Sequence, residues 1–125
     1  MKLKELTKAE EQIMQILWQL KEGIVKDIIE KIPEPKPAYN TVSTVVRVLE
    51  GKGFLDHKAY GNSHVYFPLI SEDDYKKFTF DKLMSNYFDN SYKSLVSFIA
   101  DEKDLGLKEL DELTELINKL KSQKK

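Results

Sequence analysis

Residues 33 to 37 read Pro-Glu-Pro-Lys-Pro, and no helix can run through them. Each proline lacks a backbone N–H and pushes the residue before it toward extended geometry. The segments on either side are therefore separate elements joined by a short, stiff connector that ends one helix and aims the next. What it aims is Ala38 to Phe54, AYNTVSTVVRVLEGKGF. On a 3.6-residue period Ala38, Val42, Val45, Val46 and Leu49 fall on one side of a helix, and Asn40, Ser43, Thr44 and Arg47 fall on the other. Gly53 is placed to close it. A helix that only covered a core would show mixed Lys and Glu on its outer face. Short hydrogen-bonding side chains around one guanidinium instead make a face that can lie flush against a partner, and a DNA major groove fits that description.

Ahead of the prolines, Thr7 and Glu10 have the spacing of a capping box, so a first helix begins there, and Gly23 is expected to end it as a left-handed cap. Ile13, Met14, Ile16, Leu17, Trp18 and Leu20 give that helix a broad apolar side, with Trp18 read as core. Val25, Ile28, Ile29 and Ile32 mark a second, short helix. After Gly53, the β-rich runs FLDHKAY and HVYFPL flank Gly61-Asn62-Ser63 and read as a hairpin. Three helices followed by a two-stranded hairpin is the order of a winged helix-turn-helix, with helix 38–52 as the reading element and residues 54–69 as the wing.

From Ser71 the pattern changes. Tyr75, Phe78, Phe80, Leu83, Met84, Tyr87 and Phe88 make one helix apolar around much of its circumference; Tyr92, Leu95, Val96, Phe98 and Ile99 mark a second, and Leu107, Leu110, Leu113, Ile117 and Leu120 a third. Three helices in so few residues cannot cover that much apolar surface by themselves. A second copy of the chain is the natural cover, with Tyr75, Phe78, Leu83, Tyr87, Phe88, Leu95, Ile99, Leu110, Leu113 and Ile117 as the dimerisation residues; a lone cap on the first domain is the alternative. The expected fold is mainly α with a small β-hairpin: a winged-helix domain over 1–70 and a three-helix dimerisation domain over 71–125.

The 125 residues hold no cysteine, which removes disulfides, thiolate metal sites and thiol nucleophiles. There is no Gly-rich phosphate loop and no Gly-x-Ser-x-Gly elbow, so an enzyme is not expected and no cofactor is implied. The N-terminus turns charged at once and no apolar run approaches the roughly 18 residues of a membrane span, which points to a cytoplasmic protein with no membrane insertion. His57 and His64 flank the turn. With Gly61 to Ser63 as a three-residue turn, His57 faces Phe67 and His64 faces Tyr60, and a separation of about 13 Å argues against a shared metal.

Net charge is −1, unusual for a nucleic-acid binder, so phosphate attraction has to come from local placement. Nineteen of the twenty basic residues are lysines, and the single arginine, Arg47, lies on the candidate reading face. Arg47 has the fork for guanine O6 and N7, Asn40 can address adenine, and Thr41, Ser43 and Thr44 offer hydroxyls or methyls. Lys36, Lys52, Lys58 and the Tyr39 hydroxyl are placed as phosphate contacts, which position the helix without reading sequence. A dimer would put two such helices on a palindromic operator. A winged helix that binds protein instead of DNA is the competing function on the same fold.

Five stretches in order, LTKAEEQIMQILW, Thr41-Val42-x-Thr44, Lys52-Gly53-Phe54, Asp56-His57-Lys58 and SLVSFIADEKDL with ELDELTELINKL, resemble the penicillinase and methicillin-resistance repressor (BlaI/MecI) family over nearly the whole chain. The resemblance implies a homodimeric repressor on palindromic operators, relieved when a membrane-bound sensor protease system causes the repressor to be cut. The family's scissile Asn-Phe bond corresponds to Ser97-Phe98, where Phe98 matches and Ser97 does not. The family's late Arg-Leu pair corresponds to Val48-Leu49, so the role of that Arg does not transfer to Arg47, one position and about 100° away. Copper-responsive relatives use a C-terminal cysteine cluster, which this chain lacks.

Overall fold

The computed structural model describes residues 3–103 and 106–123. Its elements run α1 (Lys8–Leu20), α2 (Val25–Glu30), α3 (Tyr39–Gly51), β1 (Leu55–Tyr60), β2 (Ser63–Pro68), α4 (Glu72–Tyr87), α5 (Tyr92–Lys103) and α6 (Leu107–Gln123). The chain divides into two compact units, one ending at Thr79 and one starting at Phe80, with α4 contributing residues to both.

In the first unit α1 starts as its sequence dictates. The Thr7 hydroxyl accepts the Glu10 N–H at 3.2 Å, and the Glu10 carboxylate accepts the Thr7 N–H at 2.9 Å. Its end differs from expectation. Lys21 takes the positive φ of 75° and its N–H closes on the Leu17 carbonyl, while buried Gly23 exchanges two backbone hydrogen bonds with Tyr66, 3.0 and 2.9 Å long. Gly23 is thus a third rung beside the hairpin, and the helix had already ended when it was reached. At the far end of α3 the reading holds: Gly53 has φ of 85°, its N–H reaches the Glu50 carbonyl, and the Phe54 N–H reaches back to Leu49. That pair of bonds is a Schellman motif, which only a residue free of a Cβ penalty adopts easily.

The core of this unit gathers Ile13, Met14 and Leu17 of α1, Val25 and Ile28 of α2, Val42, Val46 and Leu49 of α3, and Phe54, Leu55 and Tyr66 of the hairpin. Half-buried Trp18 packs against it and donates its indole N–H to the Ile70 carbonyl at 2.8 Å. Tyr75 belongs here too. Its ring lies 5.7 Å from Phe54 and 6.0 Å from Trp18, and its hydroxyl accepts the Leu6 N–H at 3.1 Å. Tyr75, expected at the dimer interface, is therefore buried in the N-terminal core, and its neighbour Phe78 packs half-buried against the same core. An apolar stripe on a helix does not say which body it faces, and the first turns of α4 face the winged helix.

The hairpin corrects a second expectation. The two strands pair Tyr60 with Ser63, Ala59 with His64 and His57 with Tyr66, leaving a two-residue turn, Gly61-Asn62, in which Gly61 has φ of 58°. A register shift of one residue moves side chains to the opposite face. His57 and His64 consequently become diagonal neighbours, their rings stacked 4.3 Å apart and near-parallel at 15°.

In the second unit, α4 and α5 are joined by Asp89 and Asn90, both at positive φ, and the Ser91 hydroxyl caps α5 by accepting the Ser94 N–H. Phe80 stacks on Tyr92, and Phe88 meets Phe98 edge to face at 5.7 Å. Met84 is buried, but Leu83, Tyr87, Phe98, Leu107, Leu116 and Ile117 all stay exposed. Among the described residues no helix is long and apolar enough to cross a membrane.

Candidate nucleic-acid interface

The outer face of α3 is built by subtraction. Val42, Val46 and Leu49 are buried in the core, which leaves Asn40, Thr41, Thr44, Arg47 and Val48 exposed and Ser43 half-buried. The helix also begins differently from its neighbours. Ala38 provides no side-chain cap and the first turn holds no acid, so the positive end of the helix dipole is uncovered by this chain's own side chains.

One edge of that face meets the wing. Tyr39, Asn40, Ser43 and Arg47 line a cleft of about 440 Å³ with Lys26 of α2 and Asn62, Ser63 and His64 of the hairpin tip. Tyr66 lines the same cleft, and its hydroxyl pKa is pushed up first by burial and next by the Glu50 charge, with the Arg47 charge working against them. Among the described residues no salt bridge involves Arg47 or Lys26. Of the face read from the sequence, Asn40, Ser43 and Arg47 line the cleft and Thr44 does not; Tyr39, read apart from that face, joins them, and Lys26 and the hairpin tip were missed. Gly-Asn as a two-residue turn was the signal that would have found the tip.

The lysines chosen as phosphate contacts fare unequally. Lys52 forms a 2.7 Å ion pair with Glu10, the two side chains being 23% and 7% exposed, so its charge ties α3 to α1 instead of facing outward. Burial alone would raise the Glu10 pKa, but the Lys52 ammonium and the Thr7 N–H outweigh it and hold the carboxyl below its usual range. Lys36 donates to the carbonyls of Ile29, Glu30 and Ile32 and so caps the end of α2. Both ammonium groups, expected to face phosphate, are here engaged by acceptors of the chain itself. The reason is general: a lysine near a helix end finds a carbonyl or a carboxylate of its own chain. Lys58 pairs with Glu22 at 3.0 Å, and the hydrogen bond to that carboxylate, reinforced by its charge, raises the Lys58 pKa. Lys58 and Glu22 are each about half exposed, and an open surface pair of this kind exchanges readily for a phosphate.

Below the cleft Glu50 bonds the Nδ1 atom of His57, and the Asp56 carboxylate accepts the His57 N–H at 2.8 Å. Ligand atoms of Glu50, Asp56 and His57 lie within 4.8 Å of one another. These groups already bond to each other, and together they brace the end of α3 against β1.

In the second unit Leu83, Tyr87, Phe88, Leu95 and Ile99 come together with Phe98 around an apolar cleft of about 520 Å³. Ser97 is exposed beside it. Leu110 and Leu113 are half-buried and Ile117 is exposed along α6.

Three helices, a wing bridged to the first connection and an uncapped third helix beside the wing tip define a winged helix-turn-helix, here followed by a helical unit. Residues 6–119 match the family described as penicillinase repressor, and the chain belongs to that family. It is 31% identical over 116 residues to the methicillin resistance regulatory protein MecI of Staphylococcus aureus strain N315, covering 92% of this chain and 94% of that protein. The solution structure of the DNA-binding domain of the repressor BlaI is similar with a TM-score of 0.52 at 28% identity, over 59% of this chain and 92% of that one. Monomeric Bacillus licheniformis BlaI bound to the blaP half-operator gives a TM-score of 0.50, also at 28% identity and with the same coverage.

Proposed function

We propose that this chain is a cytoplasmic DNA-binding transcriptional repressor that works as a homodimer on a palindromic operator. The observation that carries the reading is the outer face of α3, where Arg47, Asn40 and Ser43 stand beside the wing tip without an ion pair to Arg47 among the described residues. Arg47 supplies a bidentate contact to guanine, and Asn40 addresses adenine or a phosphate according to its rotamer. Tyr39, Lys26 and Lys58 hold the backbone, aided by the uncovered N-terminal end of α3. The complex of a relative, monomeric BlaI, with its half-operator supports DNA binding as the function.

Dimerisation is assigned to the second unit, through Leu83, Tyr87, Phe88, Leu95 and Ile99 around their cleft and through Leu110, Leu113 and Ile117 of α6. Two copies place two α3 helices one duplex turn apart, roughly 34 Å. For release we take the family's route, a cut between Ser97 and Phe98 brought about by a membrane-bound sensor protease system. Phe98 lines the apolar cleft, so a cut there removes α6 and the last turns of α5 from the unit that pairs the copies.

The test is selection from random duplex DNA followed by titration at increasing salt. A palindromic sequence should be enriched, and its affinity should fall steeply as salt rises, because each phosphate contact releases a counterion. Retention of no duplex overturns the reading.

A further inference from the structure

Two neighbouring strips make up the exposed face of α3, one of them along the wing cleft. Beside it run Thr41, Thr44, Val48 and Gly51, a row at helical spacing in which every residue is exposed and none is charged. The Thr44 hydroxyl donates to the Asn40 carbonyl at 2.8 Å, so it has no hydrogen left to give a base, and its γ-methyl is the remaining contact group apart from oxygen lone pairs. Val48 is 44% exposed although the core is already supplied from α3 by Val42, Val46 and Leu49. Gly51 adds no side chain, and the space where a Cβ would stand is open. The result is a smooth, methyl-bearing strip directly beside a hydrogen-bonding one.

Base edges in the major groove offer one apolar group, the C5-methyl of thymine. From the pairing of strips we infer that Thr44 and Val48 are specificity-determining residues that read thymine methyl groups, next to the base pair addressed by Arg47. This rests on the DNA-binding reading above. Each operator half-site then holds at least one thymine that is fixed by its methyl and not by its hydrogen-bonding pattern. A charge at either position would break the contact, and the strip has none.

The experiment uses 2′-deoxyuridine, which pairs as thymidine does but lacks the methyl. Random duplex pools are made with one or the other, selected in parallel on the full-length protein, and the duplex enriched from the thymidine pool is resynthesised with single deoxyuridine replacements. Loss of one buried methyl should weaken binding roughly fourfold at one or two positions per half-site. Val48→Ala should lose that sensitivity at one of them, so that its affinities for the thymidine and deoxyuridine duplexes converge at that position. Unchanged affinity on replacing every thymine overturns the inference, as does an equal loss by Val48→Ala on both duplexes. Enrichment from neither pool would instead remove the DNA-binding reading itself. The replacements on the unaltered protein decide the matter even if the variant folds poorly.

Discussion

The two units of this chain handle their apolar residues in opposite ways. The first draws Ile13, Met14, Leu17, Ile28, Val46, Leu49, Phe54 and Leu55 into one cluster and ties its edges with hydrogen bonds from Trp18 to Ile70 and from Leu6 to Tyr75. The second leaves Tyr87 78% and Leu107 77% exposed and frames an open apolar cleft between α4 and α5. A domain that covers its own core needs nothing else to be stable; one that leaves large apolar groups in water is completed by a partner. In the function proposed above this difference separates the two tasks, with the reading surface on the closed unit and assembly on the open one.

Phe54→Ala should have the largest effect, about 3 to 5 kcal/mol, since it empties the centre of the first core. Thermal denaturation of the full chain reads it, and a loss under 1 kcal/mol would mean that the first unit is not closed as described. Next comes Leu83→Asp, which sets a charge into the apolar cleft of the second unit. Dimer dissociation measured by sedimentation should rise by two orders of magnitude or more, about 3 kcal/mol, with little change in the melting of the first unit. A dimer unaffected by this change would place the interface elsewhere.

Lys52→Ala is expected to cost about 2 kcal/mol near neutral pH, because it leaves the buried Glu10 carboxylate with the Thr7 N–H as its remaining partner. The Glu10 pKa is lowered on folding, so its contribution is present above the unfolded value near 4.5 and disappears as pH falls through the folded value. The gap between Lys52→Ala and the unaltered protein should therefore narrow in acid. Urea titrations at pH 7 and pH 3.5 check the sign. Smallest in stability is Arg47→Ala, which should leave melting unchanged yet lower operator affinity by about 1 to 3 kcal/mol at one base pair per half-site. A uniform loss over all sequences would make Arg47 a phosphate contact.

Much of this was legible in the sequence. Helix starts with local caps, such as Thr7 with Glu10, and the helix end at Gly53 depend on residues a few positions apart, and both follow from spacing alone. The buried side of α3 was equally plain from its period. What the sequence concealed was the destination of groups that can reach more than one partner. Lys52 met Glu10, forty-two positions away, and Tyr75 turned to Leu6 and Phe54. A single misjudged turn residue at Ser63 shifted the hairpin register and parted two histidines that in fact stack. The wing-tip half of the cleft was lost with that register, since His64 had been set on the wrong face.

The most direct test of one closed reading unit and one pairing unit is native mass spectrometry of the full-length protein with the selected duplex. The account predicts two chains on each duplex, bound to half-sites centred one helical turn apart, and dimers at micromolar concentration without DNA. A single chain per duplex, or monomers at that concentration, would contradict it.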